Sequence, residues 1–193
     1  LYGEFVQKNG KIWSMPALAK SKRNIPYNKT NGHTPMGVHR IDSVMPNTDR
    51  QTAFGKFRRA ILNWVPRSQS ESFTKSFLPA THASLTWWKQ ASVARDNGRL
   101  YLRIHGTGQR NGNRRSTYYP HVPTSGCIST LEGTYNGITF IDQREILDTL
   151  MKANNLAPVY SQEPRIKGIL YVININNDKR AVSEKDLDDL IQL

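Results

Sequence analysis

The stretch TSGCIST, residues 124–130, holds the only cysteine of the 193-residue chain, Cys127. A lone cysteine closes no intramolecular disulfide and builds no Cys-rich zinc site. It is either a small buried apolar side chain or a nucleophile. Gly126, just before it, permits a close backbone approach and a strained turn. The N–H groups of Ser125, Gly126 and Cys127 can then converge beside the sulfur as an oxyanion hole. The residues before this turn, from 106 onward (GTGQRNGNRRSTYYPHVPTSG), read as one long loop, and loops of this length carry function or lack order.

Upstream of that loop, RLYLRI (99–104) alternates. Leu100, Leu102 and Ile104 share one face, and Tyr101, Arg103 and His105 share the other. A strand is predicted here, with His105 at its end and opposite the apolar face. That histidine supplies the base a thiol needs if the loop folds back. ASLTWWK (83–89) reads as another strand, with Trp87 and Trp88 as packing residues.

Residues 4–13 form a hairpin turning at Asn9-Gly10. Residues 16–34 read as loop, and Thr34-Pro35-Met36-Gly37 as a turn entering the strand VHRID. Residues 46–82 read as an insertion on the core. Within them Phe54, Phe57, Ile61, Leu62 and Val65 recur at roughly helical spacing, which predicts a helix. Ile138–Ile141 is a short strand. Asp142 then caps a helix whose buried stripe is Ile146, Leu147, Leu150 and Met151. GILYVINI (168–175) reads as a buried strand, and Ser183 opens a last short helix. The expectation is a single domain over 1–193, mainly β with a few packed helices.

The net charge is +12 and the pI about 10.0, which favours an anionic partner: nucleic acid, a lipid surface or a cell-envelope polymer. No helix-turn-helix, zinc-finger or RNP spacing supports nucleic acid. No apolar run of about 18 residues supports membrane insertion. The opening residues, LYGEFVQKNGKIW, alternate and carry charge, unlike a signal peptide. His33, His39 and His82 lack metal-site spacing, so neither a metal nor a cofactor is expected. His121 is a rival base, six residues before Cys127.

Three markers in order resemble the YkuD-type L,D-transpeptidases. HTPMGVHRI (33–41) is similar to the family's T-P-x-G-x-x-x-I segment. IHGTG (104–108) is similar to its His-Gly-Thr motif, and TSGCI (124–128) to its [S/T]-x-G-C motif. The resemblance spans residues 33–128 and leaves 46–82 uncovered. It implies a YkuD-like β-sandwich or mixed-sheet catalytic domain in an extracytoplasmic setting, acting on peptidoglycan stem peptides. It further implies Cys127 as nucleophile, His105 as general base and the Gly106 carbonyl as the group that holds the imidazole tautomer. Thr124, Ser125 and Gly126 would position the sulfur and the oxyanion. Thr107, Tyr118, Tyr119, Arg103, Arg114, Arg115 and Ser129 would contact the donor.

Two positions depart from the family pattern. Ser125 stands where many members have histidine, and Ser129 where arginine or asparagine is common; Arg103, Arg114 and Arg115 are substitutes for the latter by charge. The implied reaction is acyl transfer from a stem tetrapeptide with release of D-alanine and formation of a 3→3 cross-link. Water as acceptor would instead make a carboxypeptidase or another hydrolase on the same scaffold, and a degraded site an envelope-binding module.

Overall fold

The structure, a computed structural model, describes residues 6–46, 50–173 and 185. Strands β1 (Gln7–Lys8) and β2 (Lys11–Ile12) pair antiparallel. Between them Asn9 and Gly10 both take positive φ, 57° and 73°. A type I′ turn needs that backbone, and Asn-Gly is its preferred pair.

After the Thr34-Pro35 turn come β3 (Gly37–Ile41) and β4 (Val44–Met45). One helical turn, α1 (Gln51–Phe54), precedes β5 (Arg59–Ile61) and β6 (Asn63–Trp64). The helix expected across Phe54 to Val65 is therefore not formed. Gly55, at φ 70°, ends α1. Ala60 then pairs with Val44 on one side and Ile104 on the other. Ladder pairing overrides the apolar spacing, and residues 59–64 contribute two strands to the sheets.

Helices α2 (Ser70–Ser76), α3 (Ala80–Ala83) and α4 (Lys89–Asp96) follow. The strand expected over 83–89 is instead the end of α3 and the turn into α4. Trp88, Ala91 and Ala94 are buried at intervals of three, a helical stripe rather than a strand face, while Leu85 is exposed. Next come β7 (Arg103–Thr107), β8 (Ile128–Tyr135) and β9 (Ile138–Ile141). β7 starts four residues later than the strand expected from Arg99, because Tyr101 has φ 64°, outside the extended region. Leu102 and Ile104 still face the core, but Leu100 is exposed.

Helix α5 (Asp142–Ala153) begins with Asp142 as its first residue, not its cap. Leu147 and Met151 are fully buried, with Ile146 and Leu150 packed alongside. Strand β10 (Gly168–Val172) pairs with β3 at the edge of its sheet. It is exposed to half-buried along its length, not the buried strand expected from its apolar run. The rest of that run, 174–175, and the helix expected from Ser183 lie outside the described residues.

The strands form a hairpin and two larger sheets, β10-β3-β6 and β4-β5-β7-β8-β9. Ten strands and five α-helices among the described residues make this a mixed-sheet domain. Two chain segments pass from one larger sheet to the other: β3 into β4 through Asp42-Ser43, and β5 into β6 through Leu62. Such corners tie stacked sheets together. One core joins Ile41, Ala60, Leu62, Leu102 and Ile104 to Leu147 and Met151 of α5. A second sets Trp88 and Leu78 against Val38 and Val65. Each fully buried large side chain of this kind contributes about 1.5–3 kcal/mol.

Gly37, at φ 137°, marks where β3 meets α4. A Cβ there would overlap the Trp88 carbonyl oxygen and lie 2.7 Å from Ala91 Cβ. The neighbouring Met36 carbonyl accepts the Ala91 N–H at 2.9 Å. Gly37→Ala is expected to cost on the order of 2–4 kcal/mol, seen as a lower urea midpoint at unchanged slope. An unchanged midpoint would show that α4 is not held against β3 as described.

Candidate active site

β7 and β8 lie side by side in parallel, with His105 paired to Ser129 and Ile104 to Ile128. One step back, the same register sets Arg103 beside Cys127. Alternation along β7 sends Ile104 into the core and Arg103, His105 and Thr107 to the other face. Those three line one cavity of about 500 Å³ together with Thr124, Ser125 and Cys127. This volume suits a small-molecule or peptide segment. Two motifs 22 residues apart in the chain thus meet because their strands are neighbours.

His105 is 2 % exposed. Its Nδ1 lies 2.5 Å from the Gly106 carbonyl oxygen. A carbonyl only accepts, so Nδ1 carries the proton and Nε2 of the neutral ring keeps its lone pair. Phe54 of α1 meets the ring edge-on, with centroids 5.1 Å apart. Burial drives the imidazole pKa down to about 4, against the Gly106 bond and helped by the charges of Arg59 and Arg103. His105 is therefore neutral at pH 7 and able to accept a proton.

Cys127 is buried, with Sγ 3.7 Å from the Tyr101 carbonyl oxygen. Burial pushes its thiol pKa up. The Arg103 backbone N–H and the charges of Arg103, Arg99 and Arg59 act in the opposite direction. At rest the cavity thus holds a neutral thiol and a neutral imidazole.

The glycine after His105 and the glycine before Cys127 each accommodate a buried charged side chain. A Cβ on Gly106 would overlap the Glu132 carboxylate. Glu132 in turn accepts the Lys56 N–H at 2.7 Å and bonds the Phe57 backbone, just after the turn that carries Phe54. A Cβ on Gly126, at φ 109°, would overlap Arg99 Nη2 and lie 2.6 Å from the Gly32 carbonyl oxygen. The Arg99 guanidinium donates to the carbonyls of Tyr27, Gly32 and His33. Thr34 donates to the Gly126 carbonyl at 2.7 Å, which joins the Thr-Pro turn to the cysteine turn. Thr124 Oγ1 accepts the Gly126 N–H at 3.2 Å and donates to the Cys127 carbonyl at 2.7 Å.

Other candidates lie outside the cavity. Ser129 is fully buried, and its hydroxyl faces the carbonyls of Val122 at 3.1 Å and Leu18 at 3.4 Å. Arg114 bonds Asn136, which bonds the Tyr119 hydroxyl. Arg114, Arg115, Tyr118, Tyr119 and His121 are not among the cavity's lining. Of the three arginines considered as substitutes at the Ser129 position, only Arg103 reaches it. His39 is fully buried with Nε2 3.1 Å from the Pro35 carbonyl. Among the described residues no three His, Cys, Asp or Glu side chains gather as a metal site.

Nothing in the sequence marks Phe54, Arg99 or Glu132 as site residues. The apolar spacing places Phe54 in a helix that does not form. Arg99 and Glu132 stand alone in unremarkable strand-like text, and only the overlap with two motif glycines reveals them.

The family model for the YkuD L,D-transpeptidase catalytic domain matches residues 3–133. That match includes 46–82 and ends within β8, so α5 and β10 lie beyond it. No curated protein and no solved structure matches the chain.

The neutral resting pair has a pH signature. A thiol with a raised pKa reacts as thiolate only as pH climbs past the ordinary cysteine value of about 8.5. Iodoacetamide alkylation of Cys127 is expected to rise as one ionisation above that value, with no plateau at lower pH. A plateau between about pH 5 and 7 would instead reveal a thiolate–imidazolium pair, as known for cysteines of strongly lowered pKa.

Proposed function

The chain belongs to the family of YkuD L,D-transpeptidase catalytic domains, and from that premise we propose that Cys127 carries the acyl group of a peptidoglycan stem tetrapeptide. The observation that carries this reading is the shared cavity: Cys127 and a His105 held as its Nδ1–H tautomer open into the same space.

In the first half-reaction the Cys127 sulfur attacks the carbonyl carbon of the third stem residue. The thiol proton passes to His105 Nε2 as the S–C bond forms. Because the thiol starts neutral, proton transfer accompanies attack rather than preceding it. Negative charge develops on the carbonyl oxygen. The Gly126 N–H is bonded to Thr124, so the N–H groups of Cys127 and Ser125 are assigned to the oxyanion. Collapse breaks the C–N bond, His105 returns its proton to the leaving amine, and D-alanine departs. A thioester remains on Cys127.

In the second half-reaction the side-chain amine of another stem attacks the thioester and loses a proton to His105. An amide forms, the S–C bond breaks, and the thiol is restored. Exposed Leu100 and Tyr101, 61 % and 75 % accessible, border the cavity beside the sulfur. They offer an apolar and aromatic rim to an incoming stem, which favours transfer over hydrolysis. Arg114, Arg115, Tyr118 and Tyr119, outside the cavity, would meet parts of the stem remote from the scissile bond. The net charge of +12 suits an anionic envelope polymer, and an extracytoplasmic setting follows from the same reading. No described helix is long and apolar enough to cross a membrane.

Mass spectrometry of tetrapeptide muropeptides incubated with the protein tests the proposal, with Cys127→Ala as control. Cross-linked dimers lacking one D-alanine are expected from the unaltered protein alone. Tripeptide without dimers would reassign the protein as an L,D-carboxypeptidase. Identical, unchanged profiles in both samples would remove tetrapeptides as donors.

A further inference from the structure

We propose that Arg103 is the receptor for the terminal carboxylate of the acyl donor, so that the site acts only on a bond one residue from a free C-terminus. This rests on the cysteine acyl-transfer reading and adds the donor's required end group to it.

Among the described residues three cationic side chains line the cavity, Lys22, Arg99 and Arg103, and no Asp or Glu does. They are not equivalent. Arg99 is occupied by the carbonyls of Tyr27, Gly32 and His33. Arg103 makes no side-chain hydrogen bond or ion pair with any described residue; its recorded neighbours are ring faces. Its guanidinium carbon lies 5.6 Å from the Tyr101 ring centroid and 5.9 Å from that of Phe54. Aromatic faces hold a guanidinium by cation–π attraction while leaving its edge free. A planar fork of free N–H donors suits a carboxylate, which it takes through two parallel hydrogen bonds.

Position selects which carboxylate. Arg103 is two residues before His105 on the same strand face, and its backbone N–H bonds the Cys127 sulfur. Adjacent strands run about 4.8 Å apart. In the donor, the carboxylate carbon of the leaving residue is three bonds from the attacked carbonyl carbon, a contour of about 4.3 Å. A donor carbonyl at the sulfur therefore brings its terminal carboxylate within the span of the Arg103 side chain. Lys22 enters the chain beside Thr124, so the charge left for carboxylates elsewhere on the stem is a separate one.

Binding separates this claim from the chemistry. A stem tetrapeptide ending in D-alanine, its C-terminal amide, and the same peptide amidated only at its side-chain carboxyl groups are titrated against Cys127→Ala protein. The free acid is expected to bind at least about tenfold more tightly than the C-terminal amide, while side-chain amidation changes little. In the Cys127→Ala, Arg103→Gln protein the preference should vanish, and Arg103→Lys should keep part of it by charge alone. Equal binding of acid and amide to Cys127→Ala would overturn the proposal. So would a preference that survives Arg103→Gln, dependence on the side-chain carboxyls instead, or no binding of any peptide at millimolar concentration. Acyl-enzyme mass on the protein with Cys127 intact is read separately. No thioester adduct, with the acid preference intact, would sink the acyl-transfer reading and leave the carboxylate receptor standing.

Discussion

The parallel pairing of β7 with β8 is the constraint on which the site depends. Every other pairing between two named strands among the described residues is antiparallel. Parallel neighbours cannot be joined by a tight turn, and they need a long crossover. Here that crossover is residues 108–127, with no regular helix in it. A loop of that kind needs external support. Residues 16–34 provide it: Leu18 bridges to Ser129 and Ser21 to Thr124, and Thr34 bonds the Gly126 carbonyl. The segment that reads as loop in the sequence is thus a brace for the cysteine turn.

Two buried charged side chains of opposite sign pack against the glycines next to His105 and Cys127. Glu132 sits against Gly106 and ties the backbone after Phe54 to β8; Arg99 sits against Gly126 and ties residues 27–33 to the cysteine turn. Both bond mainly to main-chain groups. Arg99 donates three hydrogen bonds to carbonyls, and among the described residues no carboxylate forms an ion pair with it. Removing an ion from water without a counter-charge is costly, and the resting thiol beside it is neutral. Deprotonation of the Cys127 sulfur would supply a counter-charge, and the Arg99 charge in turn favours that thiolate.

The motifs were legible in the sequence because they are local. His-Gly-Thr, Thr-Ser-Gly-Cys and Thr-Pro-Met-Gly each fit a few consecutive residues, and the family and the mixed-sheet fold followed from them. The Asn-Gly hairpin and Ile138–Ile141 were legible for the same reason. What failed was apolar spacing in segments whose partners are distant. Ala60 and Ile61 became strand because β4 and β7 flank them, and Trp88 became helical because Gly37 lets α4 approach β3. Arg99 and Glu132 escaped notice since their roles arise only where they meet a glycine from another segment. The positive φ of Tyr101, which delays β7, carries no signal in a leucine-rich alternating run.

Strand β3, which opens directly from the Thr-Pro turn, is bonded along its whole length to β10, so residues 37–41 wait for residues 168–172. Contacts this distant in the chain slow folding, because loop closure must precede the ladder that rewards it. During synthesis the β3 edge stays unpaired on that side until nearly the whole described chain has emerged. An unpaired edge is a template for association with other chains. The late-made strand β10, beyond the matched catalytic segment, therefore completes the sheet that anchors the Thr34 brace and closes an edge open to aggregation.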